Sequence, residues 1–135
     1  MKRRDFFLLA ASVTLVAPFA RAGTDEIFSP DRLKADLAAG RTVFIDFAAS
    51  WCPSCRAQGR TIAELRSENP SYDAGITFLV ADWDTWENTD FAKSYEVTSR
   101  GTLLILRGDK VLSRTYSHSS KDDIRAMLDA ALPEA

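Results

Sequence analysis

The sequence predicts an α/β domain, a mixed four-stranded sheet with helices on both faces. Three observations lead there. Residues 42–47, 76–80 and 102–106 are short, nearly continuous apolar runs rich in β-branched and aromatic side chains, as in strands buried on both sides. Stretches with helical caps and helical apolar spacing lie between them. The order helix, strand, helix, strand, helix, strand, strand, helix contains one βαβ crossover, then a hairpin and a final helix.

The elements follow in order. Ser29 before Pro30 starts a helix: Ser caps orphan amides, and Pro at the first helical position has no amide to leave unpaired. Leu33 and Leu37 share its inner face, and Gly40 ends it by accepting a left-handed conformation at little cost. The run 42–47 is the first strand, with Asp46 as its one charge. After Trp51-Cys52-Pro53-Ser54-Cys55 comes a helix with Ile62 and Leu65 inward, stopped by Asn69-Pro70. Residues 76–80 form the second strand, and Thr89 or Asp90 caps a short helix reaching Tyr95. Residues 102–106 form the third, and Gly108-Asp109 turns it into a fourth at 111–116. Ser120 opens the last helix, with Asp123 placed to reach back to the cap and Ile124, Met127, Leu128 and Ala131 as its apolar stripe.

At 135 residues, 46% hydrophobic and 27% charged, the chain has the proportions of one globular domain. Such a length buries roughly two-thirds of the unfolded surface, so no metal or disulfide staple is required and both cysteines are free for chemistry. A net charge of −2 argues against an electrostatic grip on nucleic acid, and six glycines and five prolines argue against a low-complexity chain.

Residues 1–22 read as a cleaved export signal. Met1-Lys2-Arg3-Arg4 is a basic head, residues 6–20 carry no charge, and Ala20-Arg21-Ala22 supplies small residues for cleavage after Ala22. Arg3-Arg4 followed by Asp5-Phe6-Phe7-Leu8 resembles the twin-arginine export consensus, the alternative being an ordinary export signal. The uncharged run of 15 residues is shorter than the ~20 that a membrane span needs. Removing four of the 17 basic residues and one of the 19 acidic ones leaves 13 against 18, a net charge of −5 on residues 23–135. The expected location is periplasmic.

The chemistry concentrates at Cys52 and Cys55. They sit three apart after a buried strand and at a helix start, where backbone amides and the helix dipole favour a thiolate at Cys52. Cys55, nearly one turn on and better shielded, can close a disulfide, and Pro53 fixes the first turn. Redox use competes with half a zinc site or a static disulfide, but two cysteines and one histidine cannot complete the common zinc sets. Asp46, if buried without a partner, has a raised pKa and can accept a proton near Cys55, as disulfide exchange requires; the bland alternative is a strand-end Asp facing water.

The segment Phe44-Ile45-Asp46-Phe47-Ala48-Ala49-Ser50-Trp51-Cys52-Pro53-Ser54-Cys55-Arg56 resembles the thioredoxin active-site segment. Tyr95-Glu96-Val97 through Thr102-Leu103-Leu104, Gly108-Asp109 and the helix from Ser120 resemble the rest of the family, so the likeness spans residues 28–132. It implies a thioredoxin fold, Cys52 as attacking cysteine, Cys55 as resolving cysteine, Asp46 as buried acid/base, and no cofactor. Among exported members it is most similar to periplasmic thiol:disulfide interchange proteins. The implied partners are disulfide- or dithiol-containing exported proteins and a membrane or periplasmic redox partner, engaged by a monomer.

Two positions depart from the family pattern. Where a cis-proline is expected before Thr102, this chain has Gly101, preceded by Arg100. A non-proline cis bond costs ~2.5–4 kcal/mol, so a trans bond is expected there, with consequences for how an extended substrate docks. Asp82 stands where a lysine is expected near the buried acid, either sharing a proton with Asp46 or facing outward as a loop acid. Trp51, Trp83 and Trp86 form a candidate peptide-binding rim at the strand ends, unless Trp83 or Trp86 plugs the core. His118, by the resemblance on the same rim, is a solvated loop residue, a proton shuttle, or a third metal ligand with Cys52 and Cys55 for copper(I) or zinc. The reading is thus an exported thiol:disulfide oxidoreductase working as a reductant, with Cys52, Cys55 and Asp46 catalytic and Trp51, Pro53, Trp83, Arg100 and Gly101 binding substrate. A metal-handling protein is the alternative.

Overall fold

The computed structural model describes residues 25–116 and 120–133; residues 1–22, read above as an export signal, and His118 lie outside them. The sheet has five strands in the order β1-β3-β2-β4-β5, one more than expected. β2 (Thr42–Ala48) is central, parallel to β3 (Ile76–Asp82) and antiparallel to β4 (Thr102–Arg107), which pairs antiparallel with β5 (Lys110–Thr115) across a bulge at Ile105/Leu106. The unforeseen strand is β1 (Glu26–Ile27), two exposed residues parallel to β3 at its outer edge. Its formation depends on a neighbour's free edge and not on a pattern of its own.

β2 is flanked on both sides, so its consecutive side chains enter two different cores. Val43, Ile45 and Phe47 pack with Phe28, Leu33, Leu79 and Trp83 on one face. Phe44 packs with Ile62, Leu65, Phe78, Ile124 and Leu128 on the other. The alternation sends Asp46 to the face of Phe44, beneath the helix that follows β2.

The predicted caps hold. Ser29 accepts the Arg32 amide at 3.1 Å with Pro30 opening α1 (Pro30–Ala38), and Gly40 follows at φ +76°. α2 (Pro53–Glu68) runs from Cys52 to Asn69. The unforeseen α3 (Ser71–Gly75) and α4 (Trp83–Trp86) are single turns at the two ends of β3. Thr89 caps α5 (Asp90–Ser94), and Ser120 with Asp123 forms a capping box on α6 (Lys121–Ala131). Among the described residues, no helix is long and apolar enough to cross a membrane.

Candidate redox site

The site forms where β2 ends and α2 begins. The Cys52 amide donates to the Ala49 carbonyl at 3.1 Å, turning the chain so that Cys52 becomes the N-cap of α2. Its sulfur then accepts the Cys55 amide at 3.2 Å, and the Ser54 hydroxyl lies 3.3 Å away. Pro53 occupies the first helical position, exposed to solvent. Cys52 and Cys55 are joined by a disulfide with their Cα atoms 5.3 Å apart. The expected contrast in exposure does not hold in this oxidised form: Cys52 is 1% and Cys55 3% accessible, because the turn folds both residues into the core cluster that also holds Ala49 and Trp83. What separates them is the hydrogen bonding at the helix N-terminus, which converges on Cys52 and favours negative charge there.

Asp46 is 7% exposed, and its Oδ1 is buried without a hydrogen-bond partner. Burial, assisted by the negative charge of Asp25, pushes its pKa up to about 7. Asp46 is therefore not a strand-end acid projecting into bulk water. It borders a void of about 10 Å³ with Phe44, Ile62 and Phe78, and it also lines an open groove of about 440 Å³ shared with Cys55, Arg56, Ser50, Asp25 and Asp82. Asp46 and Cys55 therefore meet one solvent-reachable space.

Asp82 takes the outward alternative: it is exposed at the groove's edge and accepts the Thr85 hydroxyl at 2.7 Å. The second acid near Asp46 is Asp25, which sequence reasoning missed. β1 brings it there, since Ile27 and Asp46 both pair with Val80 from opposite sides. Arg66 holds Asp25 in an ion pair, donates to Asp73 at 2.7 Å and lies 4.1 Å over the Phe78 ring.

On the solvent side, Trp51 is 53% exposed and donates its indole N–H to the Asp84 carboxylate at 2.9 and 3.2 Å. The Arg100 guanidinium lies 4.8 Å from the Trp51 ring centre. The Arg100–Gly101 peptide is trans, and Gly101 has φ +80°, a conformation that strains any residue with a Cβ. Its N–H donates to the Phe47 carbonyl at 2.6 Å, and its carbonyl accepts the Gln58 side-chain amide at 2.9 Å. Gln58 was also missed; a polar residue three positions after Cys55 on an inward helix face was the available signal.

Trp83 does not join the rim. It is buried in the core under the β3 end, and Trp86 packs edge-on against Phe28 at 5.1 Å, so both fill space beneath the loop. Among the described residues, no three His, Cys, Asp or Glu side chains gather as a metal site. The metal alternative needs His118, which lies outside those residues.

A cysteine pair capping the helix that leaves the central strand of a five-stranded α/β sheet, with a buried acid opening to the same groove, defines a thioredoxin-fold redox protein. Residues 26–130 match the thioredoxin family. A thioredoxin of Chlorobaculum thiosulfatiphilum is 31% identical over 106 residues, 78% of this chain and 90% of that protein. An H-type thioredoxin of Brassica campestris is 29% identical over 98 residues, 73% of this chain and 74% of that one. The solved thioredoxin of Trypanosoma brucei brucei has the same fold, with a TM-score of 0.67 at 20% identity over 84% of this chain and 96% of its own. Trxlp from Edwardsiella tarda EIB202 gives 0.66 at 23% identity over 82% of this chain and 100% of its own. The chain belongs to the thioredoxin family and is a thiol:disulfide oxidoreductase.

Proposed function

We propose that the protein is an exported reductant of disulfides in partner proteins. The observation that carries the mechanism is the shared groove of Asp46 and Cys55 behind a cysteine pair whose helix-terminal hydrogen bonds converge on Cys52. In the reduced protein the Cys52 thiolate attacks one sulfur of the partner disulfide. A mixed disulfide forms and the other partner sulfur leaves as a thiolate. Asp46, ionised near neutral pH in part of the population, accepts the Cys55 proton, directly or through groove water. The Cys55 thiolate then attacks Cys52 and releases the second partner thiolate. The partner gains two electrons, the Cys52–Cys55 dithiol loses two, and a dithiol protein in the membrane or periplasm restores it.

Export is supported by the basic head, uncharged run and small-residue cleavage site of residues 1–22, and the acidic residues 23–135 are read as a monomer. Aromatic surroundings, the buried acid and the lack of a charged group at Ser54 favour the reducing direction. Trp51, Pro53 and Arg100 form the proposed docking surface; Gly101, expected to bind substrate, is buried with its N–H on Phe47 and its carbonyl on Gln58, and so shapes the loop that carries Arg100.

The test is trapping. Cys55→Ser should accumulate a mixed disulfide through Cys52, while Cys52→Ser should accumulate none. Trapping through Cys55 instead overturns the role assignment. Stoichiometric copper or zinc on anaerobically purified, reduced protein would overturn the reading in favour of metal handling by Cys52, Cys55 and His118.

A further inference from the structure

Among the described residues, Arg32, Arg41, Arg66, Arg114 and Arg125 each pair with a carboxylate. Arg100 does not. Its guanidinium rests on the Trp51 ring, beside the cysteine pair, with its hydrogen-bond donors unspent on any acid. Asp84 receives the indole N–H, so the rim is dipolar: a cation on the ring face and a carboxylate at the ring edge. A cation stacked on an exposed indole keeps its charge and gains a fixed position.

That position is built from beneath. Gln58 is a 7% exposed amide on the inner face of α2, three residues beyond Cys55. Burying an amide is costly unless it is hydrogen-bonded, and this one donates to the Gly101 carbonyl. The Gly101 N–H is fixed on Phe47, so both polar backbone groups of the residue after Arg100 are held inside the protein. The left-handed glycine turns the chain, and Arg100 emerges over Trp51.

We propose that Gln58, Gly101 and Arg100 act as one specificity device, in which the buried amide positions the loop so that Arg100 receives a carboxylate flanking the reactive cysteine of a partner polypeptide. The proposal rests on the oxidoreductase reading and adds to it the substrate class, acidic disulfide segments. Arg100 touches the partner; Gln58 is a positioning residue.

Two disulfide-bonded peptides, identical except for Asp or Lys beside the cysteine, test it with the protein reduced beforehand. The expected kcat/KM is about threefold higher for the Asp peptide at low salt, the scale of an exposed ion pair, carried by KM and shrinking as salt is added. Arg100→Glu, at an exposed position that does not threaten folding, should invert the preference. Gln58→Met keeps the length but removes the donor; it should lower the preference at least by half with the circular dichroism spectrum unchanged. Equal turnover of the two peptides by the wild type, or an acidic preference surviving Arg100→Glu, overturns the proposal while the oxidoreductase reading stands. An undiminished preference in Gln58→Met overturns the positioning role. A wild type that reduces neither peptide overturns both readings.

Discussion

At Gly101, a φ of +80° and a backbone N–H bonded to Phe47 leave no place for a Cβ without strain, and none for a ring in place of the N–H. A proline here, the residue the family pattern leads one to expect, would remove a 2.6 Å hydrogen bond and demand a φ of the opposite sign. Gly101→Ala is expected to lower unfolding stability by about 1–2 kcal/mol, the left-handed penalty of a residue with a Cβ. Gly101→Pro is expected to lose more, and chemical denaturation of the three proteins checks the order. Equal stability of all three would mean that the loop readily leaves this conformation. The departure was legible in the sequence, but its form was not: glycine populates both signs of φ, and only Gln58 and Phe47, 43 and 54 positions away, select one.

Helices show the opposite balance, because their signals are local. Ser29 with Pro30, Thr89, and Ser120 with Asp123 stand within three residues of the amides they satisfy, so each start could be read directly. At α6 the Ser120 hydroxyl receives the Asp123 amide at 3.1 Å, and the Asp123 carboxylate receives the Ser120 amide at 3.1 Å. Ser120→Ala should therefore cost about 1 kcal/mol in denaturant melts. A loss near zero would show that α6 is held by Ile124, Leu128 and their neighbours alone. The N-cap of α2 has a different use, since the capping atom is the Cys52 sulfur and the amide that serves it belongs to Cys55. Cys-x-x-Cys at a strand-to-helix junction revealed that role. By contrast, β1 had no legible pattern, and with it went Asp25, whose approach to Asp46 arises only when the chain before α1 docks on the free edge of β3. The sequence left rim and core open as alternatives for Trp83 and Trp86; burial of Trp83 decides for packing, leaving Trp51 as the exposed ring at the site.

For the whole molecule, one buried acid bends the dependence of stability on pH. Asp46 titrates near 7 in the folded chain, against about 3.9 for an unfolded Asp. Between those values the folded state binds the extra proton, so unfolding stability falls as pH rises through the interval and levels off above it. The span of about three pH units corresponds to a loss on the order of 4 kcal/mol. Asp123 acts in the other direction, its pKa lowered first by the Ser120 side-chain hydrogen bond, so its contribution is present above the ordinary carboxylate range and fades as pH falls through the folded value. Comparing the wild type with Asp46→Asn cancels such surface contributions, because both proteins share them. The variant, whose amide needs no deprotonation, should match the wild type near about pH 4 and exceed it by several kcal/mol near about pH 8. The same substitution should slow disulfide reduction, since an amide cannot take the Cys55 proton. A stability difference that stays constant between those pH values would mean that Asp46 ionises in the folded chain as it does in the unfolded one. Greater stability together with slower turnover would identify the unpaired carboxyl as a group kept in the core for its proton and not for the fold.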